Sequence, residues 1–188
     1  VVANFSAIPR QPESKYYYKF FDKHGFDTYN LETNFEGAGD GLFSHDHHNL
    51  WLGYGFRSDL DARNEVSDII SDPNLNIHSL KLEKENFYHL DTCFQQFPTG
   101  DAIFYPGAFK DSSLSAFESL FNLIPVSEHD ANQLACNAVV INNTVIFPSE
   151  NIEAIKTVEG LSLNAAVADV SEFLKSGGAC QCLVIALN

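Results

Sequence analysis

The stretch Gly41-Leu42-Phe43-Ser44-His45-Asp46-His47-His48-Asn49-Leu50-Trp51-Leu52-Gly53 sets two short apolar runs on either side of a polar turn. Runs of this length flanking such a turn read as paired strands. A helical pattern from about Asp59 to Ser71 follows, then the apolar run Ile77 to Leu82. The order strand, strand, helix, strand comes back about every fifty residues. It recurs from Tyr88 through Ala102-Ile103-Phe104-Tyr105, a helix over Ser112 to Phe121 and Leu123 to Val126. It recurs again from Ala138 to Ile141, across Asn142-Asn143 to Val145 to Phe147, a helix near Glu150 to Val158 and a strand near Leu161 to Ala166.

The flanks extend this pattern. Val1 to Phe5, a helix from about Glu13 to His24 capped by Gly25, and Phe26 to Leu31 form a unit without its first strand. A short helix from about Val170 to Lys175 precedes a lone strand from Cys180 to Leu187. The expected fold is α/β, a propeller-like array of ββαβ units around a central site, incomplete at the N-terminus. Pattern alone also admits an open α/β sandwich with irregular edges. The chain is expected to be a single catalytic domain over 1–188, truncated so that the first part of the ring is absent. A start at Val1 and a sequence without methionine carry that last expectation.

Composition narrows the function classes. The 188 residues are 45% hydrophobic and 19% charged with sixteen Phe, enough for a packed core and unlike a disordered chain. A formal charge of −14, with the eleven basic residues scattered, argues against nucleic acid and anionic membrane and favours a small cationic ligand. Four cysteines are too few for a secreted disulfide scaffold of this size, and no apolar run reaches membrane-spanning length, so a reducing cytoplasm is expected.

Three segments carry candidate chemistry. His89 and Asp91 lie two apart and share one side if Phe87 to Thr92 is extended; a histidine beside a carboxylate suits general acid/base work. Glu36 and Asp40 lie four apart across Gly37-Ala38-Gly39, in a turn too acidic for phosphate. Gly177-Gly178-Ala179-Cys180-Gln181-Cys182 ends a helix and opens the last strand, whose alternation sets Cys180 and Cys182 on one face. Cys-x-Cys and the histidine run at 45–48 also raise a zinc reading, but the run sits in a polar turn and Cys93 and Cys136 lack a second sulfur at finger-like spacing. Neither a metal nor another cofactor is expected.

Together these segments resemble the pentein superfamily of amidinotransferases, arginine deiminases and dimethylargininases, and within it a bacterial arginine dihydrolase-like or dimethylargininase-like branch. The resemblance runs over the whole chain. It is carried by Ala3-Asn4-Phe5 with Arg10 and Glu13, Phe35 to Asp40, Gly53-Tyr54-Gly55-Phe56-Arg57-Ser58, His89-Leu90-Asp91-Thr92-Cys93-Phe94, Ala135-Cys136-Asn137-Ala138, and Gly177-Gly178 leading to Cys182.

The resemblance implies a hydrolase acting on the guanidinium carbon of arginine or a methylated arginine through a cysteine adduct. Products would be citrulline or ornithine with ammonia or methylamine. It implies Cys182 as nucleophile, His89 as acid/base and Glu36 as the acid that orients the histidine. Asp91 would grip the guanidinium, Asp40 would support that arrangement, and Arg10 and Arg57 would hold the substrate α-carboxylate. A further Asp and Asn of the family's site would lie before Val1. The alternatives are amidino transfer to an amine acceptor and a non-catalytic binding protein. The expected partner beyond the small guanidino substrate is either a separate N-terminal fragment or a second copy of the chain.

Overall fold

The computed structural model describes residues 1–186, apart from the side chains of residues 111–113 and 116. Three ββαβ units dominate it. In the first, β1 (Gly41–Phe43) pairs antiparallel with β2 (Asn49–Tyr54). An α-helix, Ala62–Ile70, crosses to β3 (Asn76–Lys81), which lies parallel to β2. The second unit repeats this with β4 (Phe94–Gln96), β5 (Asp101–Phe104), a helix at Asp111–Glu118 and β6 (Asn122–Pro125). The third has β7 (Val139–Ile141), β8 (Thr144–Phe147), a helix at Ile152–Gly160 and β9 (Asn164–Val167). Each sheet has its strands in sequence order, so the hairpin and the helical crossover build the same topology three times.

The middle strand of each unit is the most buried, since it is paired on both edges and covered on both faces. Trp51 and Leu52 in β2, Ala102 and Ile103 in β5, and Val145 and Phe147 in β8 are all buried. One continuous core joins the three units, with Phe94 stacked on Phe117 at 4.2 Å and Trp51 against Phe117 at 4.7 Å. A smaller cluster of Leu31, Phe35, Leu50, Leu52, Ala62 and Val66 packs the N-terminal segment under the first sheet.

The N-terminal unit departs from expectation. A 3-10 stretch, Ile8–Glu13, leads into α1 (Ser14–Lys23), but the strands expected over Val1 to Phe5 and Phe26 to Leu31 shrink to isolated bridges. Val2 pairs parallel with Asn30 and Asn4 antiparallel with Phe35. Phe26 and Tyr29 are 41% and 46% exposed, so in the second of these stretches only Leu31 supplies a buried apolar side chain. Its parallel bridge across a helix nevertheless matches the second and third strands of the other units.

Two further expectations change. Phe87 to Thr92 is not a strand: His89 is extended, and Leu90–Thr92 forms a 3-10 turn. The expected strand from Cys180 is replaced by a 3-10 turn at Gln181–Leu183, and its last residue, Leu187, lies outside the described residues. Cys180 and Cys182 therefore do not share a strand face: Cys180 is buried, and Cys182 is exposed. Among the described residues no helix is long and apolar enough to cross a membrane.

Candidate active site

Asp40 organises the site from below. It is fully buried and uses both carboxylate oxygens, accepting from the Ser58 hydroxyl at 2.6 Å and from the Leu90 amide at 3.0 Å. The second bond fixes the start of the 89–92 turn, which Thr92 closes by donating its hydroxyl to the His89 carbonyl at 2.6 Å. Gly53 of β2 lies against this joint, where a Cβ would overlap Asp40 Oδ1 and come within 2.9 Å of Leu90 Cβ. Gly39 does the same for the imidazole: a Cβ there would lie 2.8 Å from His89 Nδ1. The glycines around the acidic turn are thus where the carboxylate and the histidine need the space.

With that turn set, His89 Nε2 meets Glu36 Oε2 at 2.9 Å, both side chains being almost wholly buried. Glu36 Oε1 accepts from the Ser6 amide at 3.2 Å and the Ser6 hydroxyl at 3.1 Å. Two guanidinium groups approach the same carboxylate, Arg57 at 3.6 Å and Arg10 at 3.7 Å. Each arginine also lies over an aromatic ring, Arg10 over Phe5 at 4.1 Å and Arg57 over Tyr88 at 4.6 Å, and Arg10 is further tied to Glu13 at 3.0 Å. Burial lowers the affinity of His89 for a proton, but the Glu36 hydrogen bond and the charges of Asp40 and Asp91 outweigh it, and its pKa is raised. Glu36 moves the other way. Burial pushes it up, and the bonds to His89 and Ser6 with the Arg57 charge bring it below the usual carboxylate range. The two form an ion pair over a wide pH window. It weakens at the acid end as Glu36 protonates and at the alkaline end as His89 loses its proton.

Asp91 faces Cys182 across the cavity, with Oδ2 at 3.9 Å from Sγ. Its Oδ1 is buried and has no hydrogen-bond partner among the described residues. Burial, with the neighbouring Asp40 charge, pushes Asp91 up to about 7, while Asp40 itself rises to about 6, mainly by burial. Desolvation and the Asp91 charge push the Cys182 thiol up to about 11. Arg10, Glu36, Arg57, His89, Asp91 and Cys182 all line one cavity of about 540 Å³, and Asp40 lies behind it. The arginines expected to wait for a substrate carboxylate are thus already engaged by Glu36, with part of each guanidinium turned to the cavity.

Asn137, in the segment Ala135 to Ala138, joins the Asp91 turn to the Cys182 turn. Wholly buried, it donates its amide nitrogen to the Asp91 carbonyl at 3.2 Å and accepts from the Cys182 amide at 3.3 Å, while its own carbonyl takes the Gln181 amide at 3.0 Å. A single Asn before a strand carries no periodic signal, so nothing in the sequence pattern marks it. Asn137→Ala is expected to cost about 2 kcal/mol by stranding buried backbone groups, read as a lowered urea midpoint at unchanged slope.

The other candidates lie elsewhere. Cys93 and Cys136 are fully buried, and burial raises both thiols. Cys180 packs among Leu134, Val170 and Ala179. The histidine run at 45–48 forms a surface turn in which Asp46 holds the Ser44 hydroxyl and the His48 amide. Among the described residues no group of three or more His, Cys, Asp or Glu side chains is arranged to hold a metal ion.

Known proteins similar to this chain share its fold. The bifunctional arginine dihydrolase/ornithine cyclodeaminase AgrE of Nostoc sp. is 35% identical over 98% of this chain, which covers 27% of that protein. The dimethylarginine dimethylaminohydrolase of Mycobacterium tuberculosis is 29% identical over the whole chain, covering 61% of its length. The crystal structure of the N-terminal domain of ArgZ, a cyanobacterial arginine dihydrolase, bound to product superposes with a TM-score of 0.92 at 36% identity. That match covers 97% of this chain and 68% of that one. The chain thus spans about a quarter of AgrE and of the bifunctional arginine dihydrolase/ornithine cyclodeaminase ArgZ of Synechocystis sp.. The family model for N,N dimethylarginine dimethylhydrolase, eukaryotic, matches residues 4–188. The repeated ββαβ units, the site they enclose and these matches agree that the chain belongs to the pentein superfamily, in its N,N dimethylarginine dimethylhydrolase family.

Proposed function

We propose that the protein hydrolyses the guanidinium carbon–nitrogen bond of arginine or a methylated arginine through a covalent adduct on Cys182. The observation that carries this reading is the buried, unpartnered Asp91 Oδ1 beside the exposed Cys182 thiol. A carboxylate left without donors in a cavity suits a planar cation with N–H groups on its edge. Among relatives, a structure of the N-terminal domain of ArgZ holds a covalently bound reaction intermediate.

The resting thiol, held up to about 11, is protonated at neutral pH. A guanidinium seated on Asp91 offsets the charge that keeps the proton on sulfur, so the exposed thiol releases that proton to solvent and the ligand's positive charge faces the thiolate. The thiolate then attacks the guanidinium carbon, forming the C–S bond. His89, protonated and held by Glu36, gives its proton to the departing nitrogen as that C–N bond breaks, releasing ammonia or methylamine. The neutral imidazole next takes a proton from water. The resulting hydroxide adds to the adduct carbon, and the C–S bond breaks to return the thiolate and leave a ureido product. A second passage of the ureido carbon through the same steps would give ornithine, carbon dioxide and ammonia.

The test is a product screen by mass spectrometry on the full-length protein, with arginine, its methylated forms and agmatine, each with and without added glycine. Citrulline or ornithine with ammonia or methylamine, independent of glycine, is the expected result. Glycine-dependent release of ornithine would replace hydrolysis by amidino transfer, and no turnover of any compound would refute the reading.

A further inference from the structure

Tyr88 takes no part in the steps above, yet it touches Gly177, Arg57 and His89. Its hydroxyl donates to the Gly177 carbonyl at 2.7 Å, a contact between residues 89 positions apart in the chain. The face of its ring carries the Arg57 guanidinium, 4.6 Å from the centroid, and its ring lies edge-on to the His89 imidazole at 4.9 Å. Gly177 has φ +82, and a Cβ there would come within 3.1 Å of the Tyr88 oxygen, so the backbone is seated directly on the phenol. The next residue, Gly178, lies against Cys182, since a Cβ on it would be 3.4 Å from Cys182 Cβ and 3.7 Å from Sγ.

Asn137 also anchors the nucleophile's turn, through the Gln181 and Cys182 amides, and Cys182 Sγ itself lies 3.9 Å from Asp91 Oδ2. Tyr88 and Arg57 also separate the catalytic cavity from a second one of about 760 Å³, which Gly177 and Lys175 border. The ring is therefore a wall as well as a strut.

We propose that Tyr88 is a positioning residue that holds the Gly177-Gly178 turn so that the Cys182 sulfur stays against Asp91. The turnover arm of this proposal rests on the hydrolase reading, but the placement of the sulfur does not. Burial raises the phenol's pKa, so the hydroxyl remains a donor through the neutral range. With the hydroxyl removed, the turn loses its anchor at the Gly177 carbonyl and the sulfur drifts from the Asp91 carboxylate. Two effects of opposite sign follow. Turnover falls because attack geometry is lost, whereas the thiol, no longer beside a carboxylate, ionises more easily and reacts faster with a small alkylating agent.

The experiment compares wild-type and Tyr88→Phe full-length protein. It measures kcat and KM for the substrate found in the screen, and the rate of iodoacetamide labelling at Cys182 followed by peptide mass spectrometry at pH 8. Tyr88→Phe is expected to lower kcat about tenfold with KM changed less than about threefold, and to speed Cys182 labelling about threefold or more. Cys93 and Cys136, both wholly buried, report unfolding in the same sample and are expected to stay unlabelled.

Unchanged kcat and unchanged labelling overturn the proposal, and so does slower labelling. If Cys93 and Cys136 label in Tyr88→Phe, Gly177→Ala decides from the other side of the contact. It is expected to show the same pair of opposite changes, and wild-type values there overturn the proposal. If wild-type protein turns over none of the compounds, the hydrolase reading fails while the labelling comparison still decides the role of Tyr88.

Discussion

Cys182→Ser is expected to lower turnover by about 10⁴-fold or more while leaving the melting temperature and substrate binding nearly unchanged. A hydroxyl is far less acidic than a thiol, and Asp91 beside it opposes ionisation further, so the oxygen cannot supply the attacking anion. Binding persists because the groups proposed to hold the ligand, Asp91 for the guanidinium with Arg10 and Arg57, are untouched. The side chain is exposed, so the exchange costs little packing. Calorimetric titration of the variant with arginine is expected to show near wild-type affinity. Acid quenching of wild type during turnover is expected to trap an adduct mass on the Cys182 peptide that the variant lacks. Retention of more than about a tenth of wild-type kcat would remove Cys182 as nucleophile. Cys180 is a poor substitute: it is 6% exposed, packed in an apolar cluster, and its thiol is raised by burial.

What the sequence shows of this fold depends on how each element is stabilised. The three ββαβ units are legible because strands such as Leu50-Trp51-Leu52 are apolar throughout and sit between polar turns, a signal that packing then reinforces. The segments around His89 and Cys182 mislead for the same reason. Tyr88-His89-Leu90-Asp91-Thr92 alternates apolar and polar residues like a strand, but Asp40 captures the Leu90 amide and Thr92 captures the His89 carbonyl, which curls the backbone. The Asp40 bond spans fifty positions, so no local window contains it.

The site itself divides along the same line. Residues of reactive type in suggestive neighbourhoods, Glu36, His89, Asp91 and Cys182, stand out in a reading of the chain, and the structure brings them to one cavity. Asn137, Ser58 and Tyr88, which hold these four in place, are ordinary residues whose importance lies wholly in tertiary contacts. The engagement of Arg10 and Arg57 by Glu36 is likewise invisible in sequence, since it needs three separate segments to converge.

Asp91→Asn is expected to raise stability at alkaline pH while removing most of the activity, because the same buried charge serves binding and strains the fold. Asp91 is 4% exposed, its Oδ1 lacks a donor, and its pKa rises from an ordinary 3.8 to about 7 through burial and the nearby Asp40 charge. The folded state thus holds this proton more tightly than the unfolded chain. The carboxyl costs nothing below about pH 4, and its cost grows as pH climbs through 4 to 7 and then levels off.

At pH 8 that cost is roughly 3–4 kcal/mol, which asparagine avoids while keeping the shape. Melting curves of the two proteins should therefore converge below about pH 4 and separate at pH 8, the variant melting roughly 6–16 °C higher. Activity goes the other way. A neutral amide cannot neutralise a guanidinium, so kcat/KM for arginine is expected to fall by at least about a hundredfold. In wild type the same titration makes arginine affinity weaken as pH drops below about 7, where Asp91 takes its proton. Equal pH slopes of stability in wild type and Asp91→Asn would show that the carboxylate is solvated in solution, and the argument that it waits for a cation would fall with that result.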